Sequence, residues 1–309
     1  MAKRVIFAGD ANVDLVFSGL AAEPQVDREV FCEDYQATLG GSTTIAAYAY
    51  ARLGGDCDFC GLVGEDEQGS LVADRLASAG VGISRLRRAP GLATGVTVSL
   101  VRGTSRTQVT FPGSLALTDE TEVLEDLLAS YKHLHISGIY GMPAFLPRVG
   151  GLLERALSLG LSTSLDTQWD ASEEWRYAET WLPLLTWLFV NEDEALSLAR
   201  RFFGRSEGLM VEEAWALLAE RSPCPVIKLG ARGAYAGGRL CPPAVLRRLL
   251  DSTGAGDTFA AAFLYASLEE GAGLEEALRL GAAAGALACS WKGGTSPLLS
   301  RAALEDQGA

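Results

Sequence analysis

Short apolar runs alternate with helical patterns along nearly the whole chain, and this rhythm limits the fold more than any other feature. Strand candidates are Arg4–Gly9, Asp56–Val63, His133–Ser137, Ser162–Asp166, Trp187–Val190 and Val226–Leu229. Helix candidates stand at Thr43–Leu53, Gln68–Ala79, Glu122–Ala129, Leu146–Leu159, Glu192–Arg201 and Met210–Arg221, and two more close the chain, Ala255–Leu268 and Leu274–Trp291. Apolar strands joined through helices form a mostly parallel sheet, because each crossover helix covers a face and leaves the strands buried on both sides. The expected class is therefore α/β.

Two segments break the rhythm. Val26–Thr38 and Thr94–Phe111 alternate apolar and polar residues with no helix between, and the second reads as a hairpin turning at Gly103. They predict a small β layer off the main sheet, over about residues 17–38 and 92–112; an edge extension of the sheet is the alternative. A cover of that kind suits an active-site lid that excludes water.

The chain has 309 residues with no repeat, linker or low-complexity tract, and is read as one domain, 1–309. Its net charge of −13 argues against a nucleic-acid partner, which needs a basic face. Lys3 and Arg4 precede an apolar run too short for a signal peptide, and the longest near-apolar stretch, Trp181–Val190, is too short to span a bilayer. A cytoplasmic protein with no membrane partner is expected. The six cysteines are scattered, so reduced thiols are expected; Cys57 and Cys60 form a lone C-x-x-C, weak grounds for zinc or redox chemistry.

The strongest chemical signal is Asp251-Ser-Thr-Gly-Ala-Gly-Asp257, a Gly-rich turn opening directly into a long helix. Backbone N–H groups from Gly254 through Ala255 and Gly256 to Asp257 would point out of the helix start, where orphan donors and the helix dipole attract an anion. A carboxylate at that place is suited to taking a proton from a hydroxyl that attacks a phosphoryl group; the plainer reading is an acid serving the helix dipole. The run is not a Walker A loop, and Phe259 stands where a dinucleotide fingerprint needs its third glycine.

Other strings complete a pattern. Gly40-Gly41-Ser-Thr-Thr-Ile-Ala-Ala, Arg52-Leu-Gly-Gly and Gly61-Leu-Val-Gly-Glu-Asp-Glu-Gln-Gly69 precede Asn191-Glu-Asp-Glu194 and Ile227-Lys-Leu-Gly-Ala-Arg-Gly233. Together with the DSTGAGDTF run, these resemble, in order, the signatures of the ribokinase (PfkB) family of carbohydrate and nucleoside kinases. The resemblance implies a ribokinase-like three-layer sandwich with a small β lid. It implies ATP-dependent phosphorylation of a hydroxyl on a sugar, or on a nucleoside as the alternative; a catalytically lapsed sugar-binding protein is the further one. In this resemblance Gly254, Ala255 and Gly256 form the anion hole and Asp257 is the base. Asn12, Asp14, Gly40 and Gly41 hold the acceptor. Lys228, Gly230, Gly233 and Asn191 line the nucleotide, and Glu194 with Asn191 places Mg2+ through water. Asp251 and Thr253 match positions near a monovalent cation such as K+, in a site completed by the loop at Trp291. Pairing of lids in a homodimer is a further implication.

Several residues keep two readings. Asn191 and Glu194 also spell a capping box, and both roles can hold at once. Asp166-Thr-Gln-Trp169-Asp170 borders the cleft or caps a helix. His133 and His135 share one strand face and read as packing residues rather than as a zinc site. Arg102 and Arg106 flank the lid turn, as solvated residues or as partners of an anionic substrate group. Ile45 is the clearest departure, standing where the family usually has Asn, which removes a hydroxyl contact from the pocket.

Overall fold

The computed structural model describes residues 4–102, 105–119, 130–204, 208–246 and 248–306. The helix expected at Glu122–Ala129 and the turn at Gly103 lie outside these residues. Among the described residues the strands are β1 (Arg4–Gly9), β2 (Asn12–Ser18), β3 (Asp34–Gly40), β4 (Cys57–Gly64), β5 (Gly82–Ala89), β6 (Gly95–Arg102), β7 (Ser105–Phe111), β8 (Tyr131–Ser137), β9 (Ser162–Asp166), β10 (Trp187–Asn191), β11 (Pro225–Lys228), β12 (Ala234–Ala236) and β13 (Arg239–Cys241).

Nine of them form the main sheet in the order β13-β12-β11-β10-β9-β8-β1-β4-β5. From β5 to β11 every pairing is parallel; β12 and β13 add an antiparallel edge. β1 shows why the sheet is covered on both faces. Val5 and Phe7 join the apolar cluster that holds the helices Ser42–Arg52, Ala255–Leu268 and Leu274–Ala288, while Ile6 and Ala8 join the cluster around the helix Val149–Ser158. Successive side chains point to opposite faces, so an all-apolar strand is satisfied only between two layers. Fully burying one Phe or Leu stabilises the fold by roughly 1.5–3 kcal/mol.

The central strands and the helices facing them follow the expected pattern closely; Ser162–Asp166 and Ala255–Leu268 coincide with it. The unforeseen strands of the main sheet lie at its edges, while β2 is an unforeseen inner strand of the β layer. β5 carries three arginines in eight residues, and β12 and β13 have three residues each. Edge strands are short or charged because one side meets water, so they lack the apolar run that betrays a central strand.

The β layer is a separate four-stranded sheet, β3-β2-β6-β7, rather than an edge extension. Its bounds differ from the expected ones. It starts at Asn12, two residues after β1, and residues 26–33 contribute no strand; Asp27 there sits at φ +57°. The sharp departure from β1 turns on Gly9, at φ +152°, where a Cβ would meet the Thr43 hydroxyl at 2.4 Å and the Ser137 carbonyl at 2.7 Å. Only glycine fits there.

His133 and His135 are fully buried and packed, not metal-bound in character. His133 bridges the Ser162 and Ser164 hydroxyls, and His135 bridges Ser164 and Ser137, all at 2.7–2.8 Å. Burial drives both imidazoles below their usual range, His135 to about 3, so each is held neutral by hydroxyl partners. Cys57 and Cys60 are buried thiols, and burial pushes the Cys57 thiol up. No helix among the described residues is long and apolar enough to cross a membrane.

Candidate active site

Parallel strands deliver their C-terminal ends to one rim, where open α/β sheets bind ligands. Asp10 follows β1, Asp166 ends β9, Asn191 ends β10 and Lys228 ends β11. Two helix starts close the cleft from below. The helix Ser42–Arg52 begins at Gly41, whose φ is +87°, and Asp10 caps it by accepting the N–H groups of Ser42 (2.9 Å) and Thr43 (2.8 Å) and the Thr43 hydroxyl (2.6 Å). The helix Ala255–Leu268 begins at Gly254, at φ +73°, where a Cβ would lie 2.6 Å from the Gly294 carbonyl. A side chain on Gly40 would strike Asp14 Oδ1 at 2.2 Å, so that glycine makes room for the acid. The Ser42 start is already satisfied by Asp10, whereas the Gly254 start is the kind of helix end that can hold an anion, and both border one space.

Two adjoining cavities occupy it. One, of about 310 Å³, is lined by Asn12, Asp14, Gly41, Ile45, Thr253, Gly254 and Asp257, with lid residues Thr97, Arg106, Gln108 and Thr110 above. The other, of about 410 Å³, is lined by Lys228, Gly230, Gly233, Ala255 and Gly256, with Phe259, Leu246 and Leu249 supplying apolar walls. The Gly254–Asp257 turn is their common boundary. The structure thus brings Asn12, Asp14, Gly41 and Asp257 to one cavity and Lys228, Gly230 and Gly233 to the one beside it, whereas Asn191 lines a separate cavity with Trp169 and Asp193, and Gly40 lines none of them.

The electrostatics fit proton transfer. Burial, reinforced by the nearby Asp166 charge and opposed by Lys228, pushes Asp257 up to about 7, while Ser42 hydrogen-bonds its carboxylate. A base with that affinity is poised near neutral pH. Burial likewise carries Asp14 to about 7 against the field of Arg106; Asn12 Nδ2 donates to Asp14 at 3.2 Å and to Thr97 Oγ1 at 3.2 Å. Lys228 is the counter-charge of the cluster. Burial alone would lower it, but Asp166, Glu194 and Asp257 together hold it above its ordinary value. Its ammonium donates to Asp166 Oδ2 at 2.5 Å, and a Cβ on Gly256 would stand 3.2 Å from Nζ.

Asn191 and Glu194 form a complete capping box: Glu194 N–H donates to Asn191 Oδ1 at 2.9 Å, and Asn191 N–H donates to Glu194 Oε2 at 2.8 Å. Thr167 also donates to Oε2, so among the described residues Oε1 carries no hydrogen bond. Glu194 is buried yet faces the Lys228–Asp166 pair, and burial lifts it to about 6 against Lys228. A single free carboxylate oxygen suits Mg2+ held through water, since this ion keeps most of its hydration shell. Glu194→Gln preserves the cap, because Gln also serves at the third helical position. It is expected to raise the Mg2+ concentration for half-maximal rate; an unchanged requirement would confine Glu194 to capping.

The remaining expectations divide. Asp166 borders the cleft, whereas Asp170 caps a turn through the N–H groups of Ser172 (2.9 Å) and Trp175 (2.8 Å). Arg102 is a solvated residue paired with Glu23, but Arg106 enters the acceptor cavity and donates to Thr253 Oγ1. Asp251 ties the anion-hole turn together, accepting Thr253 N–H and hydroxyl on one oxygen and Gly293 N–H on the other. Asp10 and Gln168 were not anticipated. Gln168, at φ +55°, donates to the Ser42 hydroxyl. The Gly-Asp-Ala-Asn-Val-Asp string held the Asp10 signal, but which of its two acids caps and which faces the acceptor depends on where the Ser42 helix starts.

A Gly-rich helix start, a carboxyl raised toward neutrality and a half-buried lysine meet in one cleft of this fold, an arrangement suited to a small-molecule phosphotransferase. The ribokinase of Cryptococcus neoformans var. grubii serotype A, solved in complex with ADP, superposes with a TM-score of 0.80 at 25% identity, covering 99% of this chain and 100% of that one. In sequence the chain is 27% identical to a 5-dehydro-2-deoxygluconokinase of Lacticaseibacillus casei, over 82% of this chain and 80% of that protein. It is 28% identical to the probable fructokinase-4 of Arabidopsis thaliana, over 82% of each. Residues 2–301 match the pfkB family carbohydrate kinases, and the chain belongs to that family.

Proposed function

We propose that this kinase uses MgATP to phosphorylate a hydroxyl of a sugar or sugar-derived acceptor seated between Asp14 and Asp257. The observation that carries this is the shared boundary of the two cavities, where the anion-hole turn and Asp257 lie between acceptor and nucleotide. Its likeness to a 5-dehydro-2-deoxygluconokinase and a probable fructokinase supports a sugar over a nucleoside.

The chemistry follows from the side chains. Asp14 and Asn12 accept and donate to acceptor hydroxyls and hold the reacting one near Asp257. The Asp257 carboxylate takes its proton as the acceptor oxygen bonds to the γ-phosphorus. The bond from that phosphorus to the bridging oxygen breaks, and ADP leaves with the electron pair. The first-turn N–H groups around Gly254–Gly256 and the Lys228 ammonium stabilise the negative charge of the group in transfer. Mg2+, when bound near Glu194 and Asn191, neutralises phosphate charge. Both Asp251 oxygens are already bonded, one to Thr253 in the turn and one to Gly293, which makes it a tie first; a K+ beside it would draw on backbone carbonyls. Exposed Tyr35, Val109 and Phe111 on the lid support pairing of two copies through that sheet.

The test is ADP formation by purified protein with MgATP and a panel of sugars, sugar acids and nucleosides. Release only with nucleosides would favour the nucleoside-kinase alternative, and release with none, at normal ATP binding, would sink the kinase-on-sugar reading.

Ile45 lines the acceptor cavity and is 3% exposed; Cβ atoms placed on Gly254 and Gly294 would meet it at 3.0 and 2.4 Å. An acceptor hydroxyl facing it lacks a partner, which costs about 1–3 kcal/mol, or roughly 5- to 150-fold in discrimination. Ribose is therefore expected to be a poor substrate, and Ile45→Asn is expected to raise kcat/KM for ribose relative to the best acceptor. An unchanged ratio would mean that Ile45 only supports the Gly254 turn.

A further inference from the structure

The lid brings into the acceptor cavity one charged side chain that phosphoryl transfer does not require. Arg106 on β7 is the only lysine, arginine or histidine among the described residues lining that cavity. Gln108 and Thr110, at alternate positions of the same strand, line it too, so this face of β7 is turned toward the acceptor. Arg106 Nη1 donates to Thr253 Oγ1 at 2.5 Å, and Thr253 is itself held by the Asp251 carboxylate. One of the five guanidinium donors is thus anchored to the anion-hole turn, which aims the fork into the cavity. No carboxylate of the described residues lies within ion-pair distance of Arg106, although Asp14 feels its charge.

Arg106 is exposed at the cavity rim, and a guanidinium anchored there by one donor has others to offer a carboxylate or phosphate, which such a fork binds through two parallel hydrogen bonds. Ile45, packed against Gly254, lines the same cavity, so an apolar residue and a cationic fork stand at one turn, Thr253–Gly254. We propose that Arg106 recognises an anionic group on the acceptor, making the native substrate an acidic sugar derivative rather than a neutral polyol. The proposal rests on the sugar-kinase reading and narrows it. The competing role is a countercharge for Asp14, with Asp10 and Asp257 also facing the cavity. A countercharge would serve neutral and anionic acceptors alike. A role toward the nucleotide is disfavoured because Arg106 does not line the Lys228 cavity.

The experiment is steady-state ADP formation with ribose, fructose, gluconate, 2-keto-3-deoxygluconate and fructose 6-phosphate, using wild type, Arg106→Met and Arg106→Lys. Carboxylate and phosphate acceptors are separate arms, so the class of anion is read directly. An anionic acceptor is expected to exceed both neutral sugars in kcat/KM. Arg106→Met is expected to cut that advantage by about 10- to 100-fold, the worth of a charge-assisted pair, chiefly through KM. Arg106→Lys is expected to restore part of it, because a point charge replaces the fork. Preference for ribose or fructose overturns the proposal and leaves the sugar-kinase reading standing. An equal loss for all acceptors, or a change confined to KM for ATP, also overturns it. Turnover of none of the five, with ATP binding intact by calorimetry, overturns both.

Discussion

Asp257→Asn is expected to lower kcat by at least about 10²-fold, the low end for a general base, while ATP binding and folding persist. Asn keeps the shape of Asp and its hydrogen bond with Ser42 but cannot take a proton. The wild-type pH profile should carry the same signature. Asp257 is lifted to about 7 by burial and by Asp166, against Lys228, and a base works only when ionised. Activity is therefore expected to be half-maximal near the pH where Asp257 titrates and to fall about tenfold per pH unit below it. The measurement is kcat and kcat/KM over about three pH units around that point in both proteins. A variant within a few-fold of wild type, or a flat wild-type profile, would remove Asp257 from the base role.

Lys228→Met is expected to cost the most stability. The half-buried ammonium is the countercharge of buried Asp166, at 2.5 Å, and also faces Glu194 and Asp257. Taking one partner from a buried ion pair costs about 3–5 kcal/mol, because it strands the other charge. At the lower bound, Tm should drop by on the order of 6 °C for a chain of this size. The sign with pH is fixed by the cluster. Glu194 and Asp257 are already raised above their ordinary values, and losing the cation raises them further. A carboxyl raised in the fold costs stability above its unfolded value near 4, and the cost grows until pH passes the folded value. The deficit of Lys228→Met should therefore be larger at pH 8 than at pH 6, where protons replace the missing ammonium. Thermal unfolding at both pH values decides it. A Tm shift below about 1 °C at pH 8 would show that the cluster is solvated and that Lys228 is not its countercharge. Turnover should fall as well, since the same ammonium stands beside Gly256 where the phosphoryl group would pass.

The central strands, the facing helices and the Gly-rich helix start that carries Asp257 were legible in the sequence because each depends on local physics. An all-apolar strand such as Val5–Ala8 demands cover on both faces wherever it sits. A Gly-rich turn before a helix exposes orphan N–H groups whatever surrounds it. Ile45 was legible as a departure only through the resemblance to the family, which usually has Asn there. What tertiary structure alone decided concerns residues whose meaning depends on a partner far along the chain. Asp166 reads equally as a cap until β9 and β11, 62 residues apart, place Lys228 against it. Arg106 reads as a solvated turn residue until the lid carries it to Thr253, 147 residues away. Glu194 is a capping residue by sequence and becomes a buried acid near the phosphate path only when β10 and β11 pair. Asp10 and Asp14 share one string, and β2 turning away from β1 at Gly9 gives them different tasks: one acid caps the Ser42 helix and the other enters the acceptor cavity. Periodicity and turn chemistry are properties of a few neighbouring residues, so the chain carries them unaided. Charge pairing and desolvation depend on distances that exist only once the sheet has closed.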